Sequence, residues 1–231
     1  MAPTDSRSEL AKGRMIDAAE RLIAERGLAS VSAREVLVAA GQRNKAAITY
    51  HFGTWDGLVE AILATRMAEV ARRREELLDV IDRESDPSTR RLVEALIVPF
   101  AERCIGDPDS CWARFLYRCM SDPHVATIVE RSVEGRTFRV TNDRLIAHLA
   151  HLPDSLRRRR VQSAFATAVG SLADFEIRRD GDRGSALPIE VVLSDLVDVA
   201  AAIVDQPSSK QTLELLDRTH IPETLLNGEQ R

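Results

Sequence analysis

The residues best equipped for recognition chemistry lie between positions 34 and 51. Arg34, Arg43, Asn44, Lys45, Thr49, Tyr50 and His51 bring guanidinium, amide, ammonium, hydroxyl and imidazole groups into one short stretch. Together with Gln42 they form an array of hydrogen-bond donors and acceptors that base edges or phosphates can meet. Ala46 and Ala47 keep the segment slim, as a helix must be to enter a major groove about 12 Å wide. Catalytic signatures are lacking. The chain has no Gly-rich phosphate loop, Gly-x-Ser-x-Gly elbow or His-Glu-x-x-His pair. We therefore expect no catalytic residue, no metal site and no cofactor. His148 and His151 lie one helical turn apart and could join His124, but no cysteine or carboxylate completes a recognised spacing, so they read as surface histidines.

The array needs elements to hold it, and the spacing of apolar residues supplies them. Residues 1–12 are polar and read as a frayed lead-in. From Leu10 to Arg26, Met15, Ala18, Ala19, Leu22 and Ile23 follow a helical face, and Gly27 ends it. Ser32 followed by Glu35 is a capping box opening a short second helix that stops at Gly41. A third helix is expected from about Asn44 to His51, with Ile48 and Phe52 inward and Lys45, Ala46, Thr49 and Tyr50 outward. Two short helices across a Gly-containing turn make a helix-turn-helix, whose second helix reads the major groove. An ordinary three-helix bundle with solvated polar residues fits the pattern equally well.

Beyond this head, one long amphipathic helix is expected from Trp55 to about Arg83. Its stripe holds Val59, Ile62, Leu63, Met67, Val70, Leu77, Leu78 and Ile81, with Arg72–Arg74 on a solvated face. Further helices are expected over 90–105, 111–120, 123–149, 153–179 and 188–205. The class is all-α, with three units: a head (10–54), a helical body (55–206) and a polar tail (207–231). Aromatics are 4% of the chain, with 11 Gly and 9 Pro, which suits helices. The net charge is −4, yet residues 1–53 carry 8 Lys/Arg against 6 Asp/Glu, so the positive excess sits on the head. No apolar run reaches the roughly 18 residues a membrane span needs, since Asp195 and Asp198 interrupt the most apolar run, 191–204. The opening residues lack the apolar core of a secretory signal. Cys104, Cys111 and Cys119 are odd in number and form no Cys-x-x-Cys pair, so they read as reduced thiols of a cytoplasmic protein. A thiol redox sensor is the alternative.

One ordered set of segments resembles a known family. Residues 16–27, 31–36, 40–41, 46–53 and 58–62 are similar to the DNA-binding head of the tetracycline-repressor (TetR) family. The resemblance covers about residues 12–63. It implies a homodimeric, all-helical transcriptional repressor acting on a double-stranded DNA operator, with an effector pocket in the larger domain. By position it assigns DNA contacts to Arg34 on the second helix and to Lys45, Ala47, Thr49, Tyr50 and His51 on the third. Arg43 and Asn44 belong with them, although this turn is one residue longer than in most members. Trp55 stands where many members carry a phosphate-gripping Lys. The implied pocket falls among the scarce aromatics, with Phe100, Cys104, Trp112, Phe115, Met120, Phe138 and Phe165 as its expected lining and a small hydrophobic molecule as its ligand. The implied dimer interface uses helices near 155–179 and 188–205. A helical enzyme or small-molecule binder whose head no longer holds DNA is the competing reading.

Overall fold

In the computed structural model, which describes residues 3–133, 135–181 and 187–218, every regular element is helical. Helix α1 (Pro3–Arg26) starts at Pro3 rather than near Leu10, because proline's fixed φ suits the first helical position. Its face of Met15, Ala19 and Ile23 is fully buried. A 3-10 turn (Leu28–Ser30) leads to α2 (Ala33–Ala39). The expected capping box is formed: Glu35 N–H donates to Ser32 Oγ at 3.3 Å, and Ser32 N–H donates to Glu35 Oε2 at 2.9 Å. Helix α3 (Ala47–Phe52) and the long α4 (Trp55–Ile81) follow.

The α3–α4 corner depends on two glycines. Gly53 ends α3 at φ 73°, a left-handed conformation that other residues rarely adopt. Thr54 then caps α4 by accepting the Gly57 N–H at 2.9 Å. A Cβ on Gly57 would stand 2.1 Å from the Phe52 carbonyl oxygen, so only hydrogen fits there.

Helix α4 carries buried residues along its whole length, from Leu58 to Ile81, and packs on α1, α3 and α7, with Arg131 of α7 meeting Glu60 in its second turn, and on α5 and α8 further along. Helix α5 (Thr89–Ile105) contains Pro99. Proline has no N–H, so the carbonyl four residues back loses its helical donor. That carbonyl, Ala95 O, is met instead by Arg74 Nε at 3.1 Å, and Arg74 Nη2 reaches Leu96 O at 3.2 Å.

Helix α6 (Trp112–Met120) lies between α1 and α9 (Asp154–Asp180). Its own N-cap residue, Cys111, makes no side-chain cap. The cap comes from α9. Glu176, wholly buried, accepts the N–H groups of Ala113 and Arg114 at 3.1 and 2.9 Å and the Ser110 hydroxyl at 3.1 Å. One turn on, Arg179 donates to the carbonyls of Asp107 and Ser110. Acid and base on α9 thus grip the N-terminal start of α6 and the turn before it, each with the sign the backbone dipoles favour.

The single helix expected over 123–149 is two, α7 (Ala126–Val133) and α8 (Arg136–His148). Asp122 bonds as an N-cap does, its carboxylate accepting the His124 N–H at 2.9 Å and its carbonyl the Ala126 N–H at 3.0 Å, and α7 itself begins at Ala126. Gly135, with ψ 165°, is extended and breaks the remainder. Helix α10 (Ile189–Asp205) lies on α5 and α9, and α11 (Lys210–Arg218) buries no residue.

Replacing Gly57 by Ala should spread the α3–α4 corner and destabilise the protein by about 1–3 kcal/mol. Gly13→Ala, where a Cβ meets nothing within 4 Å, should be neutral or stabilising. Urea denaturation of the two variants checks this.

Candidate nucleic-acid interface

The turn between α2 and α3 is built by short-range bonds. Gln42 N–H donates to Leu37 O at 2.8 Å, and the Asn44 Oδ1 accepts the Ala46 N–H at 3.0 Å. The Asn44 oxygen thereby orders the entry to α3, which begins at Ala47 rather than at Asn44. Lys45 belongs to the turn and not to the helix.

Arg34, Arg43, Asn44, Lys45, Thr49 and Tyr50 are exposed, Tyr50 at 79%, and His51 is half-buried. The Tyr50 and His51 rings meet edge to face at 4.9 Å. Tyr50 therefore faces outward and does not pack the helix. Ala47 is a correction. It is 6% exposed and joins Ile48 in the head's core, because the shorter α3 turns it inward, so it packs the helix and offers no surface for a base. Trp55 is half-buried against the same core instead of projecting.

Charge on this face is left open. Among the described residues the head's ion pairs join Arg26 to Glu35 at 2.8 Å and Arg66 to Asp17 and Glu20, both at 2.7 Å. Arg34, Arg43 and Lys45 enter none of the ion pairs. Glu35 is spent on structure. Hydrogen bonds from the Ser32 hydroxyl and backbone N–H, with Arg26 beside them, hold its carboxyl at about 2, below the ordinary 4.5.

The expected effector lining forms a packed core. Trp112 stacks on Phe115 at 5.5 Å, Phe100 meets Trp112 at 6.3 Å and Phe165 at 6.1 Å, and Phe165 meets Phe138 at 5.5 Å. Cys104 is fully buried, and Met120 and Phe138 are half-buried. Neither of two surface clefts, of about 470 and 550 Å³, is lined by any of the seven. One is bounded by Ile81, Leu92 and His148, the other by Tyr117, Gly170 and Ile177. These rings pack against one another, whereas the pocket expected among them was implied by the family resemblance and not by spacing.

Arg74 is a second correction. It is 1% exposed, not solvated. The sequence does carry the signal: Val70, Arg74 and Leu78 are four apart and share the buried stripe. Burial pushes its pKa down to about 10. Glu20 and Glu176 are likewise buried carboxylates that composition concealed, and desolvation raises both above the ordinary range. The three cysteines are buried, and burial raises Cys111 and Cys119 to about 12. Protonated, enclosed thiols lack the thiolate character that redox sensing uses.

On α9 and α10, Ala164, Ala168, Leu196 and Ala200 are spent inside the subunit, while Ile177, Ile189, Val191 and Val199 are exposed. Among the described residues no helix is long and apolar enough to cross a membrane. Residues 15–62 match the family model described as bacterial regulatory proteins, tetR family. No curated protein matches the chain.

A depressed carboxyl stabilises the fold above its unfolded pKa and loses that contribution as pH falls through its folded value. Glu35→Ala should therefore flatten the acid limb of stability between about pH 4.5 and pH 2 while leaving its shape near neutrality unchanged. Helical circular dichroism across an acid titration of both proteins measures this.

Proposed function

From its tetR-family head, which makes the chain a DNA-binding transcriptional regulator, we propose the finer reading that it is a repressor released from its operator by a small hydrophobic molecule. The observation that carries it is the α2–α3 surface, where Arg34, Arg43 and Lys45 are exposed without a counter-ion beside the Thr49 and Tyr50 hydroxyls. Arg34 and Lys45 reach guanine edges or phosphates, while Thr49, Tyr50, His51 and the Asn44 amide fix register on the backbone. The division into head (10–54), effector-binding and dimerising body (55–206) and tail (207–231) belongs to the same reading.

The body works as a homodimer. The exposed apolar residues of α9 and α10 supply a self-complementary patch, and two-fold symmetry presents two α3 helices to major grooves about 34–36 Å apart. The effector enters the ring cluster of Phe100, Phe138 and Phe165, and α4 carries the change to the head. A differential affinity of about 1–3 kcal/mol between the two head spacings is enough for such coupling. The competing reading, a helical binder whose head no longer holds DNA, draws on the inward Trp55. Retardation of a DNA duplex by the purified protein decides between the two.

Purified protein should retard the duplex flanking its own gene at low ionic strength. Lys45→Ala and Arg34→Ala should each weaken binding by about tenfold or more, with log K falling steeply against log salt. Sedimentation should show both variants still dimeric. Undiminished retardation by the variants, or a species of only 25.7 kDa, overturns the reading.

A further inference from the structure

Arg74 is a buried cation with no anion. The other deeply placed arginines each meet a carboxylate: Arg66 meets Glu20, Arg103 meets Glu69 and Arg114 meets Glu176. No carboxylate among the described residues pairs with Arg74. The Ala95 carbonyl, which Pro99 leaves without its helical donor, and the neighbouring Leu96 carbonyl hold the guanidinium in place. They bring dipoles but no compensating charge, and a charge taken out of water without a counter-ion is costly.

Its remaining neighbour is a ring. The Arg74 guanidinium carbon lies 5.5 Å from the centroid of Phe138. From there Phe138, Phe165, Phe100 and Trp112 form a continuous file of aromatic contacts. Among the described residues, one member of the file itself carries an unpartnered polar atom. Trp112 Nε1 is buried at the far end of the file with nothing to donate to, and Thr137 Oγ1, beside Phe138 in the chain, is buried without a partner. Buried polar groups are normally paired, so each such exception needs an explanation. Phe138 is also only half-buried, so it is the member of the file that can yield to an entering molecule.

We propose that the effector is an apolar monocarboxylate whose acid group takes the place of the Phe138 ring over Arg74 and whose apolar part lies among Phe165, Phe100 and Trp112. Arg74 Nε and Nη2 already donate to the two carbonyls, so a planar carboxylate meets the guanidinium at its remaining Nη1/Nη2 edge and cancels its single charge. A doubly charged phosphate would leave one charge exposed to the rings. The site closes again in the absence of ligand because the rings pack on one another, so the open form is a minor state that the acid selects. This inference rests on the reading of the body as the effector-binding unit.

Calorimetric titration of the full-length protein with decanoate and 4-phenylbutyrate, each beside its matched alcohol, tests it. At least one acid should bind about tenfold or more tightly than its alcohol. Arg74→Gln should erase that preference while keeping the alcohol's affinity. Equal affinity of acid and alcohol overturns the acid inference and leaves effector binding standing. Failure of all four compounds to bind also overturns it, while retardation of DNA by the ligand-free protein separately decides the regulator reading. If Arg74→Gln does not fold, the acid-to-alcohol ratio of the unaltered protein still gives the answer.

Discussion

One helix has to satisfy two cores at once. The 27 residues of α4 span about 40 Å, and their inward stripe is buried from Leu58 to Ile81. The first turns close against α1 and α3, the later ones against α5 and α8. Neither packing can change its registry without being felt at the other, because a continuous helix transmits rotation and translation along its axis. The Thr54 cap and the bare Gly57 fix where this helix starts. The Arg74 bridge to the proline kink of α5 fixes its far half.

A second connection runs parallel to it. Glu176 and Arg179 on α9 hold the start of α6 and the turn before it through backbone groups of opposite polarity. Helix α6 in turn packs on α1. The carboxylate is wholly buried and accepts three hydrogen bonds, which offset its desolvation only in part, since burial still raises its pKa. The proposed dimer helix α9 and the head are thereby joined through ordinary helix ends, with no loop in between.

The head was largely legible in the sequence because its determinants are local. The Ser32–Glu35 box, the Gly53 stop and the alternation of apolar positions in α1 act over three or four residues, and the structure forms each of them. What was hidden depends on distant partners or on competing short-range bonds. Arg74 looked like part of a cationic run until Pro99, which is remote in sequence, freed a carbonyl for it. Asp122 caps as its residue type suggests, and the single helix expected there is divided by the extended Gly135. Ala47 turned inward because Asn44 took over the entry to α3 and shortened it. Four aromatic residues of the body that the resemblance placed together, Phe100, Trp112, Phe138 and Phe165, do touch in a file, but whether rings fill a space or line it is decided by three-dimensional packing, which no spacing encodes.

The seat of α1 on α6 has a mechanical consequence. A head carried by one rod can swivel about that rod. A head resting on a second support beside the rod loses the swivel and keeps only a rocking motion. Under the proposed function, an effector's signal would reach the double helix as a change of pitch, like a foot pressed or lifted, rather than as a tether gone slack.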